Sequence, residues 1–191
     1  MFIAIEGLDG SGKSTVTTAL ARHLNIEHLT TPSTQYKMVR AEVDRIHNND
    51  PFARQLFYAS TVMQLSNTVS EMMKSGRSAI VDRYWLSTQV YHHWKTQGNS
   101  FPLKDVESRL VVPDATIFIH VPFQERKHRI SSRNDNTTED NKTLTAEADS
   151  TLNEFYRVIA GNSKVVGEWF EVDGTLPTRE LVQHICDVLN R

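Results

Sequence analysis

The feature that most constrains the fold is a glycine-rich string near the start of the chain, Gly7-Leu8-Asp9-Gly10-Ser11-Gly12-Lys13-Ser14-Thr15. It fits the pattern G-x-x-x-x-G-K-[ST] at every fixed position. The apolar run Phe2–Glu6 before it has the character of a strand, and an amphipathic helical pattern begins at Lys13. A strand, a tight loop and a helix in this order are typical of a phosphate-binding loop in an α/β fold.

This loop predicts the binding of a nucleoside triphosphate. Its glycines let backbone N–H groups converge on phosphate oxygens, and the helix N-terminus adds partial positive charge. Lys13 would reach the β- and γ-phosphates, and the Ser14 hydroxyl would ligate Mg²⁺. A guanine-specific site would need an Asn-Lys-x-Asp string, but the nearest match, residues 141–144, has Leu144 in place of the carboxylate.

The rest of the chain alternates short apolar runs with longer helical patterns. We predict strands at Phe2–Glu6, Ile26–Thr30, Ser78–Asp82, Ala115–Val121 and Trp169–Asp173. Helical patterns lie between them at about 13–24, 34–47, 51–75, 84–97, 122–133, 143–160 and 177–190. Continuous apolar runs indicate strands that are buried on both faces. This pattern predicts one three-layer α/β domain over residues 1–191, with a five-stranded parallel sheet flanked by helices.

Composition excludes several classes of protein. The net charge of −2 over 191 residues offers no general basic surface for nucleic acid. No apolar run is long enough to span a membrane, and the N-terminus lacks a basic segment typical of a signal peptide. Cys186, the only cysteine, lies on an apolar helical stripe, which indicates a buried thiol. We therefore expect a cytoplasmic protein without a nucleic-acid or membrane partner.

A second group of polar residues follows the strand predicted at Ser78–Asp82. In a parallel sheet, the carboxyl end of a strand faces the ligand crevice. Asp82 could hold Mg²⁺ through water there, and Arg83 could stabilise charge on a transferring phosphoryl group. The alternative is that these two residues only cap the following helix.

Residues 134–142 contain no apolar side chain. They form either a solvated surface loop or a mobile lid of about residues 129–145. The basic helix before them carries Arg129 and Arg133 four positions apart, on one helical face. Solvent-exposed arginines and arginines that a closing lid delivers to a nucleotide both fit this spacing.

Together, these strings resemble the thymidylate kinase family. Besides residues 2–15, the resemblance rests on Leu56-Phe57-Tyr58-Ala59, Asp82-Arg83-Tyr84, Ser87-Thr88-Gln89-Val90-Tyr91, Pro113-Asp114-Ala115-Thr116-Ile117 and Asp173-Gly174-Thr175. It implies the P-loop fold of the nucleoside monophosphate kinases, ATP as phosphate donor, Mg²⁺, a nucleoside monophosphate acceptor and a homodimer. The first candidate for the reaction is transfer of the γ-phosphate of ATP to dTMP, which gives dTDP.

The resemblance also implies roles on the catalytic side of the site. Lys13 and Arg83 would neutralise the transferring phosphoryl group, and Asp9 would lie near the sugar and phosphate of the acceptor. Arg129 and Arg133 would act as lid arginines, because this chain has no basic residue within the phosphate loop at residues 10–11.

On the acceptor side, the resemblance implies that Phe57 stacks on the base. Thr61 and Gln64 share its helical face at i+4 and i+7. Tyr91 would sit against the sugar, with two further substrate-binding residues in the same matched string, Ser87 and Thr88. Arg40 would contact the phosphate of the acceptor.

Two departures from the family pattern leave the acceptor open. Thr30-Thr31-Pro32 stands where the family usually has Arg-Glu-Pro, and Thr61 stands where the base-reading helix usually has an arginine. Asp82-Arg83-Tyr84-Trp85 is similar to a string of the mitochondrial, thymidylate kinase-like UMP-CMP kinase. The alternatives are therefore a CMP, dCMP or UMP kinase, a deoxynucleoside kinase, and a non-catalytic nucleotide-binding protein.

Overall fold

The computed structural model of this protein describes residues 1–132 and 142–190. Its strands form one parallel sheet in the order β2-β3-β1-β4-β5. Their bounds are β1 Phe2–Glu6, β2 Glu27–Thr30, β3 Ala79–Asp82, β4 Ala115–His120 and β5 Glu168–Asp173. The predicted five-stranded parallel sheet is confirmed, and each strand boundary differs from the predicted one by one residue at most.

Helices cover both faces of this sheet. Their bounds are α1 Lys13–Leu24, α2 Lys37–Ile46, α3 Pro51–Lys74, α4 Trp85–Lys95, α5 Lys104–Glu107, α6 Phe123–Ser131, α7 Ala146–Asn162 and α8 Thr178–Leu189. The helix predicted at 34–47 begins with a 3-10 turn at Thr34–Tyr36. Helix α5 was not predicted, because four residues are too few to show a helical period.

The central strand β1 explains the three layers. All five of its residues are buried, and its alternate side chains enter two different apolar clusters. Ile3 and Ile5 pack with α1 and α8, whereas Phe2 and Ala4 pack with α3 and α4. A strand that is covered on both faces needs a continuous apolar run, which is the pattern that the sequence has.

The register of the sheet brings two chain segments together at one edge. Ile5 on β1 pairs with Asp82 on β3, and the Arg83 N–H donates to the Ile5 carbonyl at 2.9 Å. The loop after β1 and the loop after β3 therefore lie side by side at the carboxyl ends of the strands, where α/β folds bind ligands.

Two further expectations concern the chain as a whole. Cys186 is a free thiol and is buried on α8, as its apolar stripe predicts. Within the described part of the chain, no helix has the length and apolar character needed to cross a membrane.

Candidate active site

The phosphate loop joins β1 to α1. Gly12 takes the N-cap position of α1, and the Ser11 N–H donates to the Leu8 carbonyl at 3.2 Å. Lys13 is buried, and its Nζ donates to the same carbonyl at 2.7 Å. The structure places residues 7–15 around the N-terminus of a helix, where the backbone stabilises an anion.

Lys13 lies where its positive charge is disfavoured. Burial is the largest cause, and it lowers the pKa of the ammonium group to about 8. The charge of Arg83 acts in the same direction, and three nearby carboxylates oppose it, those of Asp9, Asp82 and Glu6. Phosphate oxygens next to Lys13 would add further negative charge and raise the pKa of its ammonium group.

Gly10 is required where the phosphate loop meets α6. Its φ is +84°, in the left-handed region that glycine favours. A Cβ at this position would lie 2.8 Å from the side chain of Ile130 and 3.2 Å from the Arg126 carbonyl. The loop and α6 therefore pack without room for a side chain between them.

Two oxygen-bearing side chains fit a divalent cation beside the phosphate loop. The Ser14 hydroxyl donates to Oδ2 of Asp82 at 2.5 Å, and Oδ1 of Asp82 is buried without a hydrogen-bond partner among the described residues. Hydroxyl and carboxylate oxygens suit Mg²⁺. Residues 1–132 and 142–190 hold no cluster of three or more His, Cys, Asp or Glu side chains with metal-site geometry. The Ser14–Asp82 pair therefore fits a cation that phosphates and water also ligate.

Arg83 is held rigidly above this loop. Its φ is +66°, and its guanidinium forms an ion pair with Asp9 and donates to the Ser87 hydroxyl at 3.0 Å. The same guanidinium lies 5.2 Å from the centre of the Tyr91 ring, and the Tyr91 hydroxyl donates to Asp9 at 3.0 Å. The structure thus brings together four predicted site residues.

The charges in this group stabilise one another. Burial opposes the ionisation of Asp9, but Arg83 and Lys13 hold the pKa of this carboxyl well below its usual range. Burial also opposes the charge of Arg83, and Asp9 counteracts it and keeps the pKa of the guanidinium raised. Asp9 and Arg83 are therefore both ionised at neutral pH.

Glu6 supports the group that Arg83, Asp9, Ser87 and Tyr91 form. This carboxyl is fully buried, and it accepts the Tyr84 N–H at 2.9 Å and the Ser87 hydroxyl at 2.5 Å. Burial raises its pKa, although these hydrogen bonds partly oppose the shift. No separate role for Glu6 was predicted from the sequence. A carboxylate that ends an apolar strand directly before the phosphate loop was the available signal.

A cavity of about 210 Å³, here called cavity A, opens beside Arg83. Its lining comprises Asp9, Thr31, Pro32, Arg40, Asp44, Arg54, Tyr58, Arg83, Tyr84, Ser87, Thr88, Tyr91, His92 and Lys95. Four of these side chains are cationic and two are carboxylates, so the lining has an excess of positive charge. Five predicted substrate-binding residues lie in it, namely Arg40, Arg83, Ser87, Thr88 and Tyr91.

A second cavity connects cavity A with the phosphate loop. This cavity, here called cavity B, is lined by Ser14, Thr30, Thr31, Pro32, Ser33, Thr34, Tyr36, Arg40, Asp82 and Arg83. Arg40 and Arg83 line both cavities. The Arg40 Nε donates to the Tyr58 hydroxyl at 3.1 Å, so α2 and α3 meet at this junction.

The face of α3 that lines cavity A differs from the face predicted from sequence. Phe57, Thr61 and Gln64 are absent from its lining. The Phe57 ring instead contacts Tyr36, the Thr61 hydroxyl donates to the Tyr58 carbonyl, and Gln64 is exposed. Cavity A is lined by Arg54 and Tyr58. Consecutive residues on a helix point about 100° apart, so a shift of one position turns a different face to the cavity.

The arginines of α6 have separate environments. The Arg129 Nε donates to Glu125 at 2.8 Å and its Nη2 to the Gly174 carbonyl at 3.1 Å, beside the phosphate loop. Arg126, which sequence analysis missed, is fully buried, donates from Nε to the Asp9 carbonyl at 2.8 Å and pairs with Asp149. Arg133 and most of the predicted lid lie outside the described residues.

Eight residues that line cavity A were not predicted as site residues, and five of them lie within helices, namely Asp44, Arg54, Tyr58, His92 and Lys95. They come from α2, α3 and α4 and meet only because of the way these helices pack. The available sequence signals were the i,i+4 spacing of Arg54 and Tyr58 on α3 and the i,i+3 spacing of His92 and Lys95 on α4. Neither pair shows from sequence which face of its helix turns inward.

Comparison with solved structures supports the fold. The chain is similar over its whole length to a structure of deoxyadenosine kinase from M. mycoides with bound dATP, with a TM-score of 0.71 and 19% sequence identity. The match covers 100% of both chains. At this identity, the likeness shows the fold alone.

Comparison with protein families decides the assignment. The family model described as thymidylate kinase matches residues 5–185. The chain belongs to the thymidylate kinase family. It is therefore a phosphotransferase of the nucleoside monophosphate kinase class, and the family implies ATP as its phosphate donor.

Individual relatives agree with this family. A thymidylate kinase from Mycoplasma mobile is 31% identical over 153 residues, which cover 68% of this chain and 71% of that protein. A thymidylate kinase from Desulfotalea psychrophila is 26% identical, with 78% of each protein covered. A thymidylate kinase from Mesomycoplasma hyopneumoniae strain J is 24% identical and spans 100% of this chain and 97% of its own length.

Proposed function

We propose that this kinase transfers the γ-phosphate of ATP to a pyrimidine nucleoside monophosphate, with dTMP as the preferred acceptor and dTDP as the product. The main observation in support of this proposal is the excess of positive charge in the lining of cavity A. Four cationic side chains and two carboxylates line it, and it joins the phosphate loop through cavity B. This excess of positive charge suits the dianionic phosphate of a nucleotide better than an uncharged nucleoside.

The junction of the two cavities supports a place for the acceptor phosphate. Arg40 and Arg83 line both cavities, and cavity B also contains Ser14 and Asp82. An acceptor phosphate between the two arginines would face a triphosphate on the loop. Positioning of this kind supplies most of the rate in phosphoryl transfer, because the protein does little covalent chemistry.

The side chains of the phosphate loop would hold the donor. Lys13 and Arg83 would neutralise charge on the transferring group, and Asp9 and Ser87 would keep the guanidinium in place. Ser14 and Asp82 would hold Mg²⁺, which neutralises phosphate charge when it is bound. Thr88 and Tyr91 line the part of cavity A that would receive the nucleoside.

Cellular location and assembly stay predictions. A cytoplasmic location is consistent with the buried, unpaired Cys186. The predicted homodimer rests on the resemblance to the family alone.

Release of ADP in the presence of different acceptors tests the proposed reaction. The monophosphates dTMP, dUMP, dCMP, CMP and UMP are compared at equal concentration, and thymidine serves as the uncharged control. The proposal requires stimulation by monophosphates and none by thymidine. Stimulation by thymidine alone would instead indicate a deoxynucleoside kinase, and no stimulation by any acceptor would indicate a non-catalytic nucleotide-binding protein.

A further inference from the structure

The phosphate loop contains a β-turn whose central peptide joins Asp9 to Gly10. The Ser11 N–H donates to the Leu8 carbonyl at 3.2 Å, which closes the turn over residues 8–11. Gly10, the third residue of this turn, has φ +84°, whereas Asp9 is not among the residues with a positive φ. This combination defines a type II turn, because a type I turn has a φ of about −90° at its third residue. Between the two types, the central peptide is turned through about 180°.

Arg126 holds this central peptide from α6. Its Nε donates to the Asp9 carbonyl at 2.8 Å. The peptide bond between Asp9 and Gly10 is trans and planar, so its N–H points in the opposite direction to its carbonyl. The Gly10 N–H therefore points away from Arg126 and α6. In a type I turn, the same carbonyl would point away from Arg126, and this hydrogen bond would be lost.

Arg126 is itself fixed by α7. Its side chain is only 1% exposed, and its Nη1 forms an ion pair with the carboxylate of Asp149. The other oxygen of this carboxylate, Oδ2, accepts a hydrogen bond from Nδ2 of Asn153 at 3.0 Å. The guanidinium plane is rigid, so a contact at Nη1 also fixes the direction of the Nε–H bond. Two helices thus set the position of the donor that binds the loop.

A contribution to stability does not explain why a charged side chain stands at this position. The Nη2 of Arg126 is buried, and it has no hydrogen-bond partner among residues 1–132 and 142–190. A buried donor without a partner has lost its hydration without compensation. Apolar side chains of similar volume often stabilise a fold as well as a buried ion pair does, or better. A role in the phosphate loop accounts for the guanidinium, because its Nε binds the loop backbone directly.

We propose that Arg126 is a positioning residue of the phosphate loop, which fixes the Asp9–Gly10 peptide so that the Gly10 N–H faces the phosphates of the nucleotide. This inference rests on the binding of ATP in the proposed function. Without Arg126, the central peptide can rotate and turn the Asp9 carbonyl toward the phosphates. The loop then loses one N–H donor to an anion and gains a partial negative charge in its place.

Two variants test this role. Arg126→Leu alone would leave Asp149 buried without its partner, so it is combined with Asp149→Leu, which removes both charges together. Arg126→Lys keeps the positive charge, but one ammonium nitrogen cannot occupy the places of both Nε and Nη1. For each variant, we expect calorimetric titration without an acceptor to show about tenfold weaker binding of ATP and ADP than in wild type. Thermal melting confirms that each variant is folded.

Arg157→Gln combined with Glu171→Gln is the matched control. This ion pair also joins α7 to another element, with Nε of Arg157 3.0 Å from Oε2 of Glu171, but its side chains are 46% and 34% exposed. We expect the wild-type affinity for ATP in this control. Wild-type affinity in a folded Arg126→Lys, or in the folded double variant, would overturn the positioning role, because charge or packing alone would then suffice.

The amide signal of Gly10 separates a rotated peptide from a general loosening of the helices. The chain has eight glycines, so ¹⁵N-labelled glycine gives a simple amide spectrum, in which Gly10→Ala identifies the signal of Gly10. We expect this signal to be displaced or split in the double variant, and that of Gly161 on α7 to stay in place. A Gly10 signal that is the same as in wild type would overturn the inference and leave the kinase reaction intact. If the wild-type protein does not bind ATP, the proposed function itself fails.

Discussion

Arg83 shows, at the scale of single residues, how the site is arranged for catalysis. Its guanidinium is held by the Asp9 carboxylate, the Ser87 hydroxyl and the face of the Tyr91 ring. These contacts fix the position of the guanidinium, so little reorganisation is needed when a phosphoryl group arrives. Preorganised charge of this kind is a large source of rate enhancement in enzymes.

We therefore expect Arg83→Gln to lower kcat by about 10³-fold or more, the range seen when a catalytic arginine is lost. Glutamine has a similar length and meets the same backbone restriction at φ +66°. Steady-state kinetics with dTMP, together with a melting curve, measures the effect. Arg77→Gln is the control, because Arg77 is exposed and pairs with Glu27 away from the loop. A folded Arg83→Gln enzyme with near-normal turnover would refute the role of Arg83.

Lys13 leads to a pH prediction. Because its pKa is lowered to about 8, the ammonium group loses its proton, and with it its attraction for phosphate, as the pH rises through 8. We expect kcat/KM for ATP to fall above pH 8, approaching a tenfold loss per pH unit. At saturating ATP, kcat should decline only at higher pH, because bound phosphates raise the pKa of Lys13. An affinity for ATP that is constant up to pH 9.5 would contradict this environment for Lys13.

A single site residue can be predicted from sequence when a short local string of residues marks it. Lys13, Ser14, Asp82 and Arg83 could be predicted as site residues because each belongs to a short string that follows a strand. Arg54 and His92 were not found, because their place in the site depends on how α3 and α4 are rotated against the sheet. No short-range pattern in the sequence contains that rotation.

At the scale of elements, the contact between the phosphate loop and α6 matters most for stability and for ATP binding. Gly10→Ala would force a Cβ to within 2.8 Å of Ile130 and would hold a non-glycine residue at φ +84°. We expect a loss of about 1–3 kcal/mol in the free energy of unfolding, and weaker ATP binding. Chemical denaturation and calorimetric titration measure both effects.

Gly161→Ala provides the matched control for this substitution. Gly161 lies within α7, and a Cβ there would meet no heavy atom within 4 Å. Alanine should stabilise the helix by up to about 1 kcal/mol and leave ATP binding unchanged. Equal effects of the two substitutions would show that Gly10 has no special role in the loop.

Glu6 ties β1 to α4 and leads to a prediction about stability. Because its pKa is raised in the folded state, its contribution to stability is complete below the unfolded value near 4.5 and declines as the pH rises through the folded value. Glu6→Gln keeps a neutral side chain of the same shape. We expect the melting temperature of this variant, relative to wild type, to rise between pH 5 and pH 8. A difference that stays constant or falls over this range would contradict the buried position of Glu6.

Most elements could be predicted because their signals are repetitive. Runs such as Ile117-Phe118-Ile119 fill a buried strand, and the longer helices repeat their apolar faces over several turns. The face of α3 toward the cavity was not predicted, because this helix is packed on more than one side. Its buried residues include Arg54, Gln55 and Thr61 as well as apolar ones, so hydrophobicity alone does not define its inner face.

At the scale of the whole molecule, the net charge gives no indication of the positive charge that lines cavity A. The chain has a net charge of −2, yet the lining of cavity A has four cationic side chains and two carboxylates. Overall composition argues against a general affinity for nucleic acid, but it gives no indication of a small basic cavity. Only the fold, which joins α2, α3 and α4 beside the phosphate loop, creates that cavity.

Transfer of label from γ-³²P-ATP tests the central assignment most directly. The enzyme is incubated with labelled ATP and Mg²⁺, with either dTMP or thymidine, and the products are separated by chromatography. We predict that dTMP yields dTDP with the label in its β-phosphate, and that thymidine remains unlabelled. Label that appears only in inorganic phosphate, or that enters thymidine but not dTMP, would contradict the assignment as a nucleoside monophosphate kinase.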